Sequence, residues 1–207
     1  MRYLIDKTPK EVERKNASAL VCGQLLTPLT RYANWGGEFA IDNGAFSRFD
    51  AAAFRRLVAR EEPAMARCLF VTCPDIVGAA RRTLELFKRR SLWIPTGVPV
   101  ALVAQNGIED LDIPWDEFQC LFIGGVDPWK DSSVVADLVR AGKIMEKHIH
   151  IGRVNTAKRF NWFDSLGADT CDGTGVSRYD HMLEAIERSR LPEKLLFCPT
   201  DLHPMTM

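Results

Sequence analysis

HIHIGRVNTAKRFNWFDSLGADTCDGTGVSRYD, residues His148–Asp180, holds two short apolar runs with an amphipathic segment between them. Its apolar run Ile149–His150–Ile151 stops at Gly152, as expected of a short buried strand. A helix from about Thr156 to Leu166 follows, carrying Phe160 and Phe163 and ending at Gly167. Ala168–Cys171 reads as a second, weaker strand. Asp169 and Asp172 are expected at the mouth of a turn punctuated by Gly173 and Gly175. A carboxylate just past a strand and backed by glycines can stand at the rim of an α/β sheet without a bulky neighbour crowding a substrate. A further helix, Tyr179 to Arg188, turns Met182, Leu183 and Ile186 inward before Pro192. The order is strand, helix, strand, helix.

The same unit recurs upstream. Ala19–Cys22 precedes Gly23, and Phe39–Ile41 is stopped by Asp42–Asn43–Gly44, a strong turn signal. Asp50 then caps a helix with Phe54, Leu57 and Val58 on one face. Leu69–Val71 leads through Cys73–Pro74–Asp75 into a helix bearing Ile76, Ala80, Leu84 and Phe87. Val100–Val103 is followed by Gln105–Asn106–Gly107, and Cys120–Ile123 by Gly124–Gly125. Asp131 opens a helix with Val134, Val135, Leu138 and Val139, closed by Gly142. Leu195–Phe197 is a last strand or a packed tail. Several runs are continuously apolar and do not alternate, which signifies strands buried on both faces and hence a parallel sheet. An open sheet and a barrel both satisfy this pattern. The barrel is favoured because Asp42, Asp75, Gln105, Gly124–Gly125, Arg153 and Asp172 each follow a different strand, and in a (β/α) barrel those ends converge on one face.

Bulk properties fit one domain spanning residues 1–207: the chain is 46% hydrophobic and 26% charged. Lys plus Arg and Asp plus Glu number 27 each, so total charge gives no pull toward nucleic acid or anionic membrane, though a local basic patch stays open. No apolar run approaches the roughly 20 residues that span a bilayer, and Met1–Lys10 lacks a signal-peptide core, so a cytoplasmic location is expected. The six cysteines contain no CxxC pair and read as buried free thiols; Cys198 and His203 alone do not make a zinc site. His148 and His150 share one strand face, which suits the sheet interior better than a metal. Trp93, Trp115, Trp129 and Trp162 are either core residues or stacking platforms for a flipped base.

Asp42, Asp75 and Asp172 with Gln105 and a Gly-Gly turn form a pocket suited to a flat heterocycle. A carboxylate accepts paired N–H groups from an amino-lactam edge, while Gln105 and a backbone N–H of Gly124 or Gly125 serve its carbonyl. A carboxylate can also attack an anomeric carbon while a second carboxyl handles the proton. Each aspartate has a plainer alternative: Asp172 and Asp42 as turn residues, Asp75 as a helix cap.

Five motifs in order resemble the tRNA-guanine transglycosylase superfamily. IDNGAF (Ile41–Phe46) resembles its DSGG(F/Y)Q motif, CPD (Cys73–Asp75) its base-reading aspartate, and VAQNG (Val103–Gly107) its VQGG segment. IGGV (Ile123–Val126) resembles its IGGLAVGE, and GADTCD (Gly167–Asp172) its GVDxFD. The resemblance implies a TIM-type (β/α)8 barrel with Asp172 as nucleophile at C1′ and Asp42 as acid/base. It also implies Asp75, Gln105, Gly124 and Gly125 as binders of guanine and of its 7-deazaguanine replacement; no cofactor is expected. Asn43 and Ala45 stand where the motif has serine and glycine, which bears on the loop around Asp42, and Asn43 is counted with the base-binding set. The family's C-terminal CxCxxC zinc motif is absent from the sequence, so no metal is expected.

GRVNTAKRF (Gly152–Phe160) and DGTGVSRYD (Asp172–Asp180) look like segments of the short branch that inserts 7-deazaguanines into DNA, found in phages and bacterial modification islands. The expected activity is therefore replacement of guanine in DNA by 7-cyano-7-deazaguanine or a relative. Arg153, Lys158, Arg159 and Arg178 are the expected phosphate contacts, and a helper protein that presents the DNA is a plausible partner. The alternatives are the same exchange on tRNA, or a catalytically silent barrel that binds nucleic acid.

Overall fold

A computed structural model describes residues 1–190. Its elements alternate along the chain: β1 (Arg2–Ile5), α1 (Pro9–Asn16), β2 (Val21–Leu26), β3 (Phe39–Ile41), α2 (Ala51–Glu61), β4 (Cys68–Thr72), α3 (Ala80–Phe87) and β5 (Val100–Ala104). Then come β6 (Cys120–Ile123), α4 (Ser133–Ile144), β7 (His148–Ile151), α5 (Ala157–Ser165), β8 (Thr170–Cys171), α6 (Thr174–Arg178) and α7 (Asp180–Arg190). Neighbouring strands pair in parallel in sequence order, and β8 pairs back onto β1 through Arg2 with Thr170 and Tyr3 with Cys171. The sheet is a closed eight-stranded barrel, and the fold is a compact (β/α)8 barrel of the TIM type.

Two connections depart from the regular pattern. Residues 27–38 join β2 to β3 without a helix, and β5 reaches β6 through two short 3-10 turns, Ile108–Asp110 and Trp115–Glu117. Neither segment has an apolar face at three- and four-residue spacing: the first holds Pro28 and Gly36–Gly37, the second Pro114 among acidic residues.

Closure comes from β1, and the eight strands are complete at Cys171. Leu195–Phe197, Cys198 and His203 lie outside the described residues. The strand expected at Ala19–Cys22 begins later and runs through Gly23 to Leu26. Gly23 does not end it, because the Glu38 carbonyl crosses where a Cβ would stand and only glycine fits. Gln24 is fully buried in the same strand, donating from Nε2 to Lys7 O at 2.7 Å and accepting from Trp35 N–H at 3.1 Å.

Helix ends follow local chemistry. Asp50 caps α2 by accepting from Ala53 N–H at 2.9 Å, and Thr156 caps α5 by accepting from Arg159 N–H at 3.2 Å. α3 begins only at Ala80, so Ile76 lies outside it and is exposed, and Asp75 caps nothing. α4 starts at Ser133, two residues beyond Asp131, and Gly142 lies inside it.

The core has two layers. Between barrel and helices pack Ile41, Phe54, Val71, Phe87, Ile123, Val135, Ile151, Phe160 and Phe163, among others. Inside the barrel a smaller cluster holds Leu4, Leu25, Ala40, Phe70, Val103 and Phe122. Phe122 and Phe70 flank the His150 ring, at centroid distances of 4.5 and 5.0 Å. The barrel is thus a filled core whose upper layer opens into the site. Five cysteines, at 22, 68, 73, 120 and 171, are buried free thiols.

Phe160, fully buried, stacks on Tyr3 at 5.4 Å and ties α5 to the closing strand. Phe160→Ala is expected to cost about 3–5 kcal/mol in urea unfolding. An unchanged midpoint would mean that this contact does not hold α5 in place.

Candidate active site

The C-terminal ends of the strands surround a cavity of about 330 Å³ lined by Asp42, Asn43, Asp75, Gln105, Gly124, Gly125, Arg153 and Asp172. The barrel therefore brings together the three aspartates and the glutamine that the sequence places on different strand ends. A second lobe of about 280 Å³ shares Asp6, Thr27, Asp42 and Asp172 with the first.

Asp172 follows β8 directly, and both of its oxygens are held. Oδ1 accepts from the Arg153 backbone N–H at 3.0 Å, and Oδ2 pairs with His150 Nε2 at 3.1 Å. Arg153 reaches that orientation by adopting a left-handed backbone, φ 61°, unusual for a residue with a side chain. Behind His150 the chain of contacts continues inward. His150 Nδ1 meets Thr170 Oγ1 at 2.9 Å, and Thr170 Oγ1 meets His148 Nε2 at 2.7 Å. One assignment satisfies every member: His148 donates to Thr170, Thr170 donates to His150 Nδ1, and His150 Nε2–H donates to the Asp172 carboxylate. Burial keeps both imidazoles below their ordinary pKa, His148 at about 4, which fits two neutral rings. Burial alone would raise the Asp172 carboxyl. The hydrogen bonds from His150 and from the Arg153 N–H, with the charge of Lys130, outweigh it and hold Asp172 below the usual carboxylate range.

Asp42 has the opposite environment. Burial first, then the negative charges of Asp172 and Asp75, push its carboxyl up to about 7. Its contacts are long, with Gly44 N–H and Thr72 Oγ1 each at 3.4 Å from Oδ1. Two aspartates in one cavity are thus driven toward opposite protonation states, the pattern by which paired carboxyls divide nucleophile and acid roles.

Asp75 is buried and clamped. Asn43 Nδ2 donates to its Oδ1 at 2.8 Å and Gln105 Nε2 to its Oδ2 at 2.6 Å. Burial raises this carboxyl, with the two amide donors working against the rise. Asn43 also donates to Cys73 O at 2.8 Å, while its Oδ1 accepts from Ala45 N–H at 2.6 Å. Asn43, grouped with the base binders in the sequence reading, spends its carboxamide on positioning Asp75 and the β3 turn. Gln105 accepts from Gly78 N–H at 2.8 Å, which leaves one Nε2 hydrogen for a ligand.

Gly124 and Gly125 line the cavity but offer no free amide: both N–H groups donate to Ala104 O, at 3.0 and 3.2 Å. Gly124 serves by size, since a Cβ there would stand 2.7 Å from Gln105 Nε2. The carbonyls of Gly124 and Gly125 are taken by the Arg153 guanidinium, which also lies 4.2 Å over the Phe46 ring. Arg153 is therefore part of the cavity wall.

The expected phosphate contacts separate. Arg159 is ion-paired with Asp127 at 3.0 Å and with Asp131, so its charge is already balanced. Lys158 is exposed on α5 and lines neither lobe. Arg178 lines the second lobe. Asp169 lies at the opposite end of β8 from the mouth, paired with Lys143 at 2.8 Å and accepting from Ile149 N–H at 2.7 Å. Trp93, Trp115, Trp129 and Trp162 pack half-buried against the core and line neither lobe.

Two residues of the site were missed. His150 shows in the sequence only as the same-face partner of His148; its contact with Asp172 depends on the β7–β8 register, which sets His150 beside Thr170. Lys130 is fully buried and donates to Gly152 O at 2.6 Å, fixing the residue before Arg153. Burial and then Arg153 bring its ammonium down to about 7. A lysine in a short turn beside Trp129 carries no sequence mark of burial. Among the described residues, no three His, Cys, Asp or Glu side chains are grouped to hold a metal ion. No described helix is long and apolar enough to cross a membrane.

Neither a family model nor a curated protein matches the sequence. Solved structures do match in fold. An HpcH/HpaI aldolase from Desulfitobacterium hafniense DCB-2 aligns with a TM-score of 0.51 and 11% identity, over 92% of this chain and 93% of that one. A structure assigned as a dehydratase from Mesorhizobium loti aligns with a TM-score of 0.50 and 11% identity, over 89% of this chain. The match spans 56% of that longer chain. At such identity the likeness is one of fold.

Asp42 gives a signed prediction. Its folded pKa, about 7, lies above the ordinary 3.8, so the native state binds the proton more tightly than the unfolded chain. The stability this contributes is complete below the unfolded value and is lost as pH rises through about 7. Asp42→Asn cannot ionise, so its melting temperature relative to the parent is expected to climb between about pH 4 and pH 7 and to level off above that. Parallel melting curves across that window would remove the raised carboxyl from the account.

Proposed function

We propose that the protein is a base-exchange transglycosylase that replaces guanine in DNA with a 7-deazaguanine derivative. The observation that carries this reading is the convergence in one cavity of Asp172 with donors on both oxygens, Asp42 with its carboxyl pushed up to about 7, and Asp75 clamped as an acceptor. The five ordered motifs that resemble the tRNA-guanine transglycosylases assign the same three residues to nucleophile, acid/base and base reader. The segments Gly152–Phe160 and Asp172–Asp180 favour the DNA branch.

The chemistry follows from the groups present. Asp75 accepts N–H groups from the amino-lactam edge of guanine, and the remaining Gln105 Nε2 hydrogen is directed to its carbonyl. A ligand lacking that edge leaves buried polar groups unpaired, at about 1–3 kcal/mol each. Asp172 attacks C1′, the C1′–N9 bond breaks, and a glycosyl ester forms on the carboxylate. Asp42 gives its proton to the departing base. The incoming 7-deazaguanine returns its N9 proton to Asp42, its nitrogen displaces Asp172 from C1′, and the enzyme is regenerated. His150 and the Arg153 N–H orient the nucleophile, which otherwise could turn from C1′ to a nearer donor. No redox or nucleotide-hydrolysing step is needed, because one glycosidic bond replaces another.

Incubation with labelled 7-cyano-7-deazaguanine and either duplex DNA or tRNA tests the reading. Label is expected in DNA, and Asp172→Asn is expected to reduce incorporation to background. Label confined to tRNA would transfer the proposal to the RNA exchange. Incorporation by Asp172→Asn at the parent rate would dismiss the assigned nucleophile.

A further inference from the structure

We infer that the second lobe of the site is the seat of the sugar and its phosphate, with Lys7 and Arg178 as the phosphate-binding cations. This rests on the base-exchange reading for the identity of the nucleotide but on separate residues for the phosphate. The reactive carboxylates Asp42 and Asp172 stand at the junction of the two lobes, lining both. A nucleotide has the same form: a flat base and a sugar phosphate joined at the one bond that reacts. Asp75 and Gln105 lie only on the first lobe, so a base held there with C1′ at Asp172 directs its pentose into the second.

The second lobe is chemically unlike the first. It is lined by Lys7, from the loop after β1, by Arg178, at the end of α6, and by Thr174 and Ser177. Among the described residues Arg178 forms no ion pair, and the Lys7 contact with Glu11 is long at 3.8 Å. The one further carboxylate of this lobe, Asp6, is already engaged through Oδ1 by the Tyr32 hydroxyl and by Thr30 Oγ1. Two cations lining one lobe together with hydroxyl donors are the groups that recognise a phosphodiester. Arg159, the more obvious basic candidate of the mouth, is by contrast neutralised by Asp127 and Asp131.

Calorimetric titration of the whole protein with deoxyguanosine and with its 5′- and 3′-monophosphates tests the assignment. At least one monophosphate is expected to bind on the order of tenfold more tightly than the nucleoside, the scale of one charge-assisted contact. The double variant Lys7→Ala/Arg178→Ala is expected to abolish that advantage and to leave nucleoside affinity unchanged. Lys7→Gln/Arg178→Gln, with stems retained, should behave alike, and unchanged circular dichroism confirms that both variants fold. Equal affinity for nucleoside and monophosphates, an advantage that survives the substitutions, or no binding of any of the three overturns the inference. A phosphate advantage lost in the variants, in a protein that fails to exchange labelled base, upholds the lobe and removes the base-exchange reading instead.

Discussion

The hydrogen bond from His150 to Asp172 is the contact on which the arrangement of the site depends. It crosses from β7 to β8, the shortest strand of the barrel, whose two residues give little pairing to hold an aspartate in place. His150 is held in turn by Thr170, and its ring is packed between Phe122 and Phe70 in the barrel interior. A carboxylate at the end of a weak strand is thereby fixed by the core. The cost is a buried polar chain, offset because each link from His148 through Thr170 and His150 to Asp172 is a hydrogen bond.

The same economy separates the aspartates. Asp172 has directed donors on both oxygens, whereas Asp42, as deeply set, has only two long contacts and faces two negative neighbours. Asp75 stands between these extremes, clamped by two amides and buried. Three residues of one type thus acquire three electrostatic settings from the strand ends they occupy. Lys130 and the left-handed Arg153 complete the arrangement on the β6–β7 side, one holding the Gly152 carbonyl and the other turning its amide to Asp172.

Much of this was legible in the sequence, for a definite reason. Strands buried on both faces read as continuous apolar runs, and Phe39–Ile41 and Cys120–Ile123 match those runs residue for residue. The polar residue after each run then falls at the mouth by topology alone. What was not legible depends on pairing across strands. β1 was not recognised as the closing strand because Arg2 and Tyr3 interrupt its apolar character, and α1 was missed because Val12 is its only buried apolar residue. The amides of Gly124 and Gly125 looked available, yet Ala104 O on the adjacent strand takes both. Arg159 looked like a phosphate contact, since nothing local shows that Asp127 and Asp131 fold back onto it.

The central claim is that one cavity drives two carboxyls apart, Asp172 below the ordinary range and Asp42 up to about 7. Carbon-13 titration of the aspartate carboxyls, assigned with Asp42→Asn and Asp172→Asn, measures it directly. The account predicts that Asp172 titrates below the ordinary carboxylate range and Asp42 at about 7. Both carboxyls titrating together in the ordinary range, or the two in reversed order, would contradict it.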